Sequence, residues 1–369
     1  MVEEVLACLR CRDLAAEKPE AVFLDCTLGT GGHTLAFLQA HPTCRVVAFD
    51  RDADSMLLAR QRLDDEGASH RVSYVQGDFR HAATLLQPFF ENQMVGADGR
   101  PITQIDGALV DAGMSLTQVT WPERGLSFRS DAEFADAPLD MRYDRAQEIS
   151  AADLVNRLST SDLEDLFFKF ADERWARRIA ATIDNYRRSH VIRTTGELTS
   201  LIEAAIPVAV RRQSRVHPAT QSFAALRLAV NDELWALDHG SWALSQVLAP
   251  AARLVILTYS SHEDRTVKRT FRRLAGQPVS PNGNEPRRKR KPALSPGRDS
   301  RTMRPPLTFS LDLPSDEDAA IPSWAEGFGT QWNMKIITNK PLQPTAEEIE
   351  SNPLARSCKL RAVEKVCLK

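Results

Sequence analysis

The stretch Val22-Phe23-Leu24-Asp25-Cys26-Thr27-Leu28-Gly29-Thr30-Gly31-Gly32-His33-Thr34 runs from a short apolar segment into a glycine-rich turn, and a helical stretch follows from Thr34 to Gln39. Its glycines let the backbone pass close to a ligand where any Cβ would clash. The helix that follows offers unpaired N–H groups to a carboxylate or phosphate. Working outward, Arg45–Asp50 (RVVAFD) reads as a second strand, followed by a helix over Asp54–Leu63. Val72–Val75 reads as a third strand and Ile105–Val110 as a fourth. Short, nearly all-apolar strands alternating with helices predict a parallel sheet covered on both faces.

The ends of these strands carry the chemistry. Asp50 closes the second strand about twenty residues beyond the glycines, where an acid can accept both ribose hydroxyls of an adenosine. The third strand runs into Gly77-Asp78-Phe79, whose ring suits the face of an adenine, and the fourth into Asp111-Ala112-Gly113. All lie on the carboxyl edge of one sheet, where open α/β folds bind ligands. A nicotinamide dinucleotide is the competing ligand, but Gly29-x-Gly31-Gly32 departs from G-x-G-x-x-G because residue 34 is Thr. The balance favours S-adenosylmethionine and an α/β, Rossmann-like methyltransferase sheet.

Elsewhere the pattern changes. Helical periodicity over Ala151–Leu158, Ser161–Phe170, Glu173–Arg188 and Thr195–Ala205 predicts an inserted all-helical substrate domain. Gln221–Leu248 reads as one long helix or two, Arg253–Tyr259 as a strand, Thr345–Glu350 as a short helix and Lys359–Val363 as a closing strand. Residues 274–330 are rich in Pro, Gly, Ser and charge without periodicity, and disorder is expected there. The predicted organisation is therefore methyltransferase domain 1–122, helical insertion 123–220, methyltransferase domain 221–273, basic Pro-rich insert 274–331 and a return to the first domain over 332–369.

Composition adds bounds. The 369 residues are 43% hydrophobic and 26% charged with a net charge of -2, so a nucleic-acid footprint has to be local. No stretch has the roughly 18–20 apolar residues of a membrane span. Six scattered cysteines include one C-x-x-C, Cys8 and Cys11, without the second pair a structural zinc site needs; reduced thiols and no metal are expected. The start, Met1-Val2-Glu3-Glu4, carries neither a basic secretory n-region nor an Arg-rich transit sequence. Arg287–Lys291 has the character of a nuclear localisation signal, although a basic run in a Pro-rich segment is more often a solvated tether.

With these residues in place, the chain resembles the MraW/RsmH-type methyltransferases nearly end to end, 274–330 excepted. The resemblance rests on LDCTLGTGGHT (24–34), AFDRDADS (48–55), PERGLSFR (122–129), APLDMRYD (137–144), DERWARRIA (172–180), HPATQSFAALRLAVNDEL (217–234), EDRTVKR (263–269) and NPLARSCKLRAVEK (352–365). It implies cofactor contacts at Gly31, Gly32, His33, Asp50, Phe79, Asp111 and Gln118, and methylation of a cytidine N4 in small-subunit ribosomal RNA. The family's His-x-Pro-Val before the first helix is represented only by its last residue, which suggests a truncated or alternative start. Asp-Leu-Gly-Val-Ser-Ser becomes Asp111-Ala-Gly-Met-Ser-Leu116, Phe-His-Ser-Leu-Glu-Asp becomes Tyr259-Ser-Ser-His-Glu-Asp264, and a Gly-Gly becomes Ala251-Ala252. The loosened motifs and long insert resemble a eukaryotic descendant, which implies the mitochondrial matrix; a bacterial source implies the cytoplasm.

The cytidine amine is a poor nucleophile because its lone pair is delocalised. An acceptor for its hydrogens favours the reactive form and stabilises developing positive charge. Asp111, and beside it Ser115, are placed for this, with cofactor holding an equal reading of Asp111. The target base must be unstacked, and RNA readers combine charge with stacking groups. Arg124, Arg129 and Arg142 are candidates for phosphate contact, and Arg174, Arg177, Arg178, Arg187, Arg188, Arg211, Arg212 and Arg215 make the insert the candidate RNA-docking unit, although any one alone is more often a solvated or ion-paired side chain. Phe128 and Trp175 are candidate stacking platforms with core packing as the commoner role; His217 fits packing or capping. A non-catalytic ribosome-assembly factor is the alternative, motivated by the changes after Asp111 and around Ser260.

Overall fold

A computed structural model describes residues 1–128, 132–214, 216–277 and 334–366. Seven strands, β1 (Val22–Asp25), β2 (Arg45–Asp50), β3 (Val72–Gln76), β4 (Ile105–Asp111), β5 (Leu248–Thr258), β6 (Met334–Ile336) and β7 (Lys359–Lys365), form one sheet in the order β3-β2-β1-β4-β5-β7-β6. The first five are mutually parallel, and β7 is antiparallel to both β5 and β6. The chain builds outward from β1 to β3, then returns to place β4 on the other side of β1. The ends of β1 and β4 therefore flank the reversal point where such sheets bind ligands.

Strand residues alternate between two cores, as the two-residue period of a pleated strand requires. Val22, Leu24, Val47, Phe49, Ala108 and Val110 face one cluster; Phe23, Val46, Ala48 and Leu109 face the other. Helices α1 (Val2–Cys8), α2 (Cys11–Glu17), α3 (Gly32–Ala40), α4 (Ala53–Asp65) and α5 (Ala82–Phe90) precede β4. Helix α3 brings Phe37 and Leu38 to the second cluster, and α5 brings Leu86 and Phe89 to the first. Cys8 ends α1 and Cys11 begins α2, with Arg10 between them in the left-handed region at φ 56°.

Beyond β4 come α6 (Leu116–Thr120), α7 (Ala132–Ala135), α8 (Ala151–Arg157), α9 (Thr160–Ala171), α10 (Ala176–Arg187), α11 (Thr195–Ala205), α12 (Val208–Gln213) and α13 (Thr220–Val230). A third core joins α8, α9, α10, α11 and α13, built on Leu154, Leu166, Phe167, Ile179, Ile183 and Ile202. It takes in Phe223, Leu226 and Val230 of α13 and runs on to Leu234. Helix α13 thus packs with the helical unit, although the sequence reading began the second methyltransferase segment at 221. Of the two readings of Gln221–Leu248, two helices are observed: α13 and α14 (Glu233–Val247) meet at Asn231 and Asp232, the latter at φ 52°. Buried Asn231 explains the break. Its amide oxygen accepts from the Tyr143 N–H at 2.8 Å and its amide nitrogen donates to the Met141 carbonyl at 2.7 Å.

The closing elements are α15 (Ser261–Leu274), β6, α16 (Ala346–Ser351) and β7. From residue 278 the Pro-rich insert, with Arg287–Lys291, lies outside the described residues, as do Arg129, Arg215 and Cys367. Among the described residues, no helix is long and apolar enough to cross a membrane and no group of His, Cys, Asp or Glu has metal-holding geometry.

Candidate active site

The glycine turn leaves β1 at Asp25, whose carboxyl is fully buried and is pushed above the usual carboxylate range by that burial, against the pull of His33. Its oxygens hold the turn, accepting the Thr34 hydroxyl at 2.7 Å and the Thr27 N–H at 3.3 Å. Gly29 at φ 53° and Gly31 at φ 79° supply backbone that L side chains rarely adopt, and Gly31 caps α3. A Cβ on Gly31 would also press on Leu63 at 3.3 Å.

Asp50 closes the next strand. One oxygen accepts the Gly29 N–H at 2.7 Å and the other the Asp52 N–H at 2.9 Å. Burial pushes this carboxyl up to about 6, although both N–H groups favour its charged form. Asp52, which sequence reasoning passed over, is the hub below it. It caps α4 through the Asp54 and Ser55 N–H groups, accepts the Gln118 amide at 2.7 Å and pairs with Arg124 at 2.5 Å. An aspartate three residues before a serine, at the head of a helical pattern, is the signal that could have identified it.

Gln118 is consequently engaged at both ends. Its oxygen accepts the Ser115 N–H at 3.0 Å in a capping box on α6, and its nitrogen serves Asp52. It reaches the expected nucleoside site through Asp52 and Asp50. Ser115, weighed as an acceptor for the amine, spends its hydroxyl on the same cap and on Thr117 at 2.8 Å. Phe79 follows β3 as expected but is only 7% exposed, its ring seated against Gly240 of α14, where a Cβ would overlap it.

Asp111 ends β4 beside the turn, its N–H donating to the Thr27 hydroxyl at 2.7 Å. Its carboxylate stands between two donors. The Tyr259 hydroxyl donates to Oδ1 at 2.8 Å, and His33 Nε2 lies 3.4 Å from Oδ2. Burial works against a charged His33, but the hydrogen bond and charge of Asp111, with the charge of Asp25, outweigh it and raise the imidazole above its ordinary value. The other ring nitrogen, His33 Nδ1, is buried without a protein partner. Glycine turn, α3 N-terminus, Asp50, His33 and Asp111 are thereby brought together on one edge. The cradle fits S-adenosylmethionine: backbone N–H groups at the head of α3 suit its carboxylate, Asp50 its ribose, and buried His33 Nδ1 offers an unused polar atom.

The phosphate candidates need correction. Arg124 is 2% exposed and is consumed by Asp52, Asp54 at 2.9 Å and the Tyr143 carbonyl. Arg142 makes a two-pronged contact with Asp140 and donates to the Gln147 carbonyl. In the insert, Arg187 and Arg188 pair with Asp184, and Arg211 lies 3.8 Å from Glu203. Arg174 and Arg178 are exposed and lie over the half-buried Trp175 ring at 5.6 and 5.5 Å; Arg177 and Arg212 are exposed too. Phe128 stacks on His217 at 4.9 Å and packs edge-on to Phe223, while His217 Nδ1 accepts the Ala219 N–H at 3.2 Å, a packing and capping role.

A mixed sheet of this order, with five parallel strands and a glycine turn, a second-strand acid and a fourth-strand acid on their carboxyl edge, frames an S-adenosylmethionine-dependent methyltransferase. The chain belongs to the MraW methylase family, whose model matches residues 1–294 and 316–366. It is 35% identical over 352 residues to the ribosomal RNA small subunit methyltransferase H of Symbiobacterium thermophilum, covering 95% of this chain and 92% of that one. Among solved structures it matches an rRNA methylase from Streptococcus thermophilus (11% identity, 97% and 95% coverage, TM-score 0.31) and NSun6 from Pyrococcus horikoshii (11% identity, 98% and 52% coverage, TM-score 0.37). The dinucleotide reading is set aside by family membership.

Proposed function

We propose that this chain, by family an rRNA methyltransferase, methylates the exocyclic N4 of a cytidine in small-subunit ribosomal RNA and so contributes to maturation of that subunit. The observation that carries the reading is the Asp111 carboxylate, fixed by two donors at the tip of β4 yet still 28% exposed. S-adenosylmethionine, when bound, supplies an electrophilic methyl group. Asp50 and the backbone at Gly29–Gly32 hold the donor in place; His33 lines the turn and steadies Asp111. Asp111 accepts an N–H of the incoming amine, which favours its nucleophilic form and stabilises the positive charge that develops on it. Holding both reactants in one crevice supplies much of the remaining acceleration.

The helical unit is the proposed RNA-docking surface, supported by exposed Arg174, Arg177, Arg178 and Arg212 and by the partly exposed Trp175 ring. Of the changes that motivated a non-catalytic reading, Ser260 sits in a local structural role, capping α15 with Glu263, while the retained Ser115 caps α6. The proposed compartment follows the source, the mitochondrial matrix for a eukaryotic chain and the cytoplasm for a bacterial one, and cell fractionation tests it.

The deciding experiment is S-adenosylmethionine binding by calorimetry for wild type and Asp50→Ala, followed by transfer to small-subunit RNA with nucleoside mass analysis. Binding lost in the variant and N4-methylcytidine formed by the wild type are expected. Binding without transfer to any small-subunit RNA or particle overturns the substrate assignment.

A further inference from the structure

Tyr259 is the first residue beyond β5, which lies beside β4 in the sheet, and its hydroxyl reaches across to Asp111 Oδ1 at 2.8 Å. Its backbone is fixed independently. Glu263 Oε2 accepts the Tyr259 N–H at 2.7 Å and the Ser260 N–H at 3.0 Å, and Glu263 Oε1 accepts from Arg227 at 3.1 Å. The ring lies against Gly113, where a Cβ would stand 3.5 Å from Tyr259 Cδ2. Burial, and after it the negative charge of Asp111, raise the phenol far above its usual range, so it keeps the proton that it donates to Asp111.

A carboxylate turns easily about its last torsion. Here Oδ1 is bound by Tyr259 and Oδ2 faces His33 Nε2, so the two contacts act on opposite oxygens and fix the carboxylate plane. Each oxygen accepts more than one hydrogen bond, so accepting capacity remains for an outside donor on a side chain that is 28% exposed.

We propose that Tyr259 is a positioning residue for methyl transfer: its hydroxyl sets the orientation in which Asp111 accepts the N–H of the attacking amine. The inference rests on the reading of Asp111 as that acceptor. In the step it serves, the amine nitrogen bonds to the methyl carbon, the carbon–sulfur bond breaks with its electron pair going to sulfur, and the proton lost from nitrogen passes by way of Asp111 to water. Tyr259 itself exchanges no proton.

The test uses the full chain with small-subunit RNA, comparing wild type, Tyr259→Phe, Asp111→Ala and the double variant in single-turnover reactions with enzyme in excess. Affinity for S-adenosylmethionine is read by calorimetry, and the Asp111 ¹³Cγ resonance by NMR without substrate. Tyr259→Phe keeps the ring. It is expected to bind S-adenosylmethionine and RNA within about twofold of wild type and to slow transfer by about tenfold, the scale of one hydrogen bond to a charged group. In the Asp111→Ala background the same change is expected to cost less than about twofold, because the hydroxyl then has nothing to orient. The Asp111 resonance moves in Tyr259→Phe. Wild-type transfer rates in Tyr259→Phe, an equal loss in both backgrounds, or a loss confined to binding or melting temperature overturns the proposal. If wild type methylates no RNA, the functional reading fails instead; the Asp111 resonance then decides the orienting contact, and an unmoved resonance rejects it.

Discussion

Asp50 is placed under two opposed demands. Its proposed role as acceptor of ribose hydroxyls favours the charged carboxylate, yet burial pushes the group up to about 6. S-adenosylmethionine affinity is therefore expected to fall as pH drops through about 6, by up to about tenfold per unit below it. Stability of the unliganded chain moves the other way. The native state holds its Asp50 proton to higher pH than the unfolded chain, whose carboxyl titrates near 3.9. Between about 4 and 6 the native state binds more protons, so this group's contribution to stability declines as pH rises and is least favourable above 6. Calorimetric titrations from pH 5 to 8 check the first claim, with Asp50→Asn expected to bind weakly at every pH; a flat wild-type profile rejects it. Gly240→Ala tests Phe79, since the added Cβ overlaps the Phe79 ring. It is expected to lower stability by about 1–3 kcal/mol, the scale of overpacking, and to weaken S-adenosylmethionine binding, read by urea unfolding and calorimetry. At this scale the sequence exposed the acids at the strand ends, because a strand's carboxyl end is a fixed place in the fold. It did not expose side chains spent on one another: Gln118 on Asp52, or Arg124 on Asp52 and Asp54. Such pairings join residues 66–72 positions apart and leave no local pattern.

Between elements, one buried charge cluster ties the helical unit to the sheet. Arg227 of α13 pairs with Glu233 of α14 at 2.8 Å and with Glu263 of α15 at 3.1 Å, and the Tyr143 hydroxyl donates to Glu233 at 3.2 Å. Burial raises the Glu233 carboxyl, with Arg227 opposing it. Arg227→Ala strands two carboxylates in the interior and is expected to cost about 3–5 kcal/mol. Urea unfolding measures this, and a loss under about 1 kcal/mol would show the pairs to be solvated. The same cluster holds the backbone of Tyr259 through Glu263, so transfer activity should decline in variants whose fold survives. The elements themselves were largely readable. β2 and α11 match their predicted bounds, because apolar runs bounded by polar turns and caps are local signals. Longer-range features were not readable. The expected strand 253–259 begins at Leu248, where pairing with Ile105 of β4 extends it. Helix α13 joins the helical core because Phe223, Leu226 and Val230 find their partners there, a matter of packing rather than period.

The whole molecule carries a net charge of only -2, so attraction to RNA has to come from where cations are left uncommitted, and ion pairing decides that. Arg124, Arg142 and Arg187 are committed to carboxylates or carbonyls inside the protein, and neutralising them should damage the fold before it damages docking. Arg174, Arg177 and Arg178 instead present charge around Trp175 at the head of α10, beside the turn where Asp172 approaches His262 of α15 at 3.3 Å. That turn therefore adjoins the helix following β5, whose last carboxyl-edge neighbour, Tyr259, touches Asp111. A strand tracking this face would pass close to the methyl-accepting site. Arg177→Ala with Arg178→Ala is accordingly expected to weaken RNA binding and to flatten its salt dependence by about 0.7 to 0.9 in log–log slope for each phosphate that is no longer neutralised. S-adenosylmethionine affinity should stay the same, since neither side chain reaches the glycine turn. Trp175→Leu should reduce affinity without altering the slope, because stacking releases no counterions. Fluorescence anisotropy across a salt series separates the two effects. An unchanged slope in the double variant would place the docking surface elsewhere on the molecule.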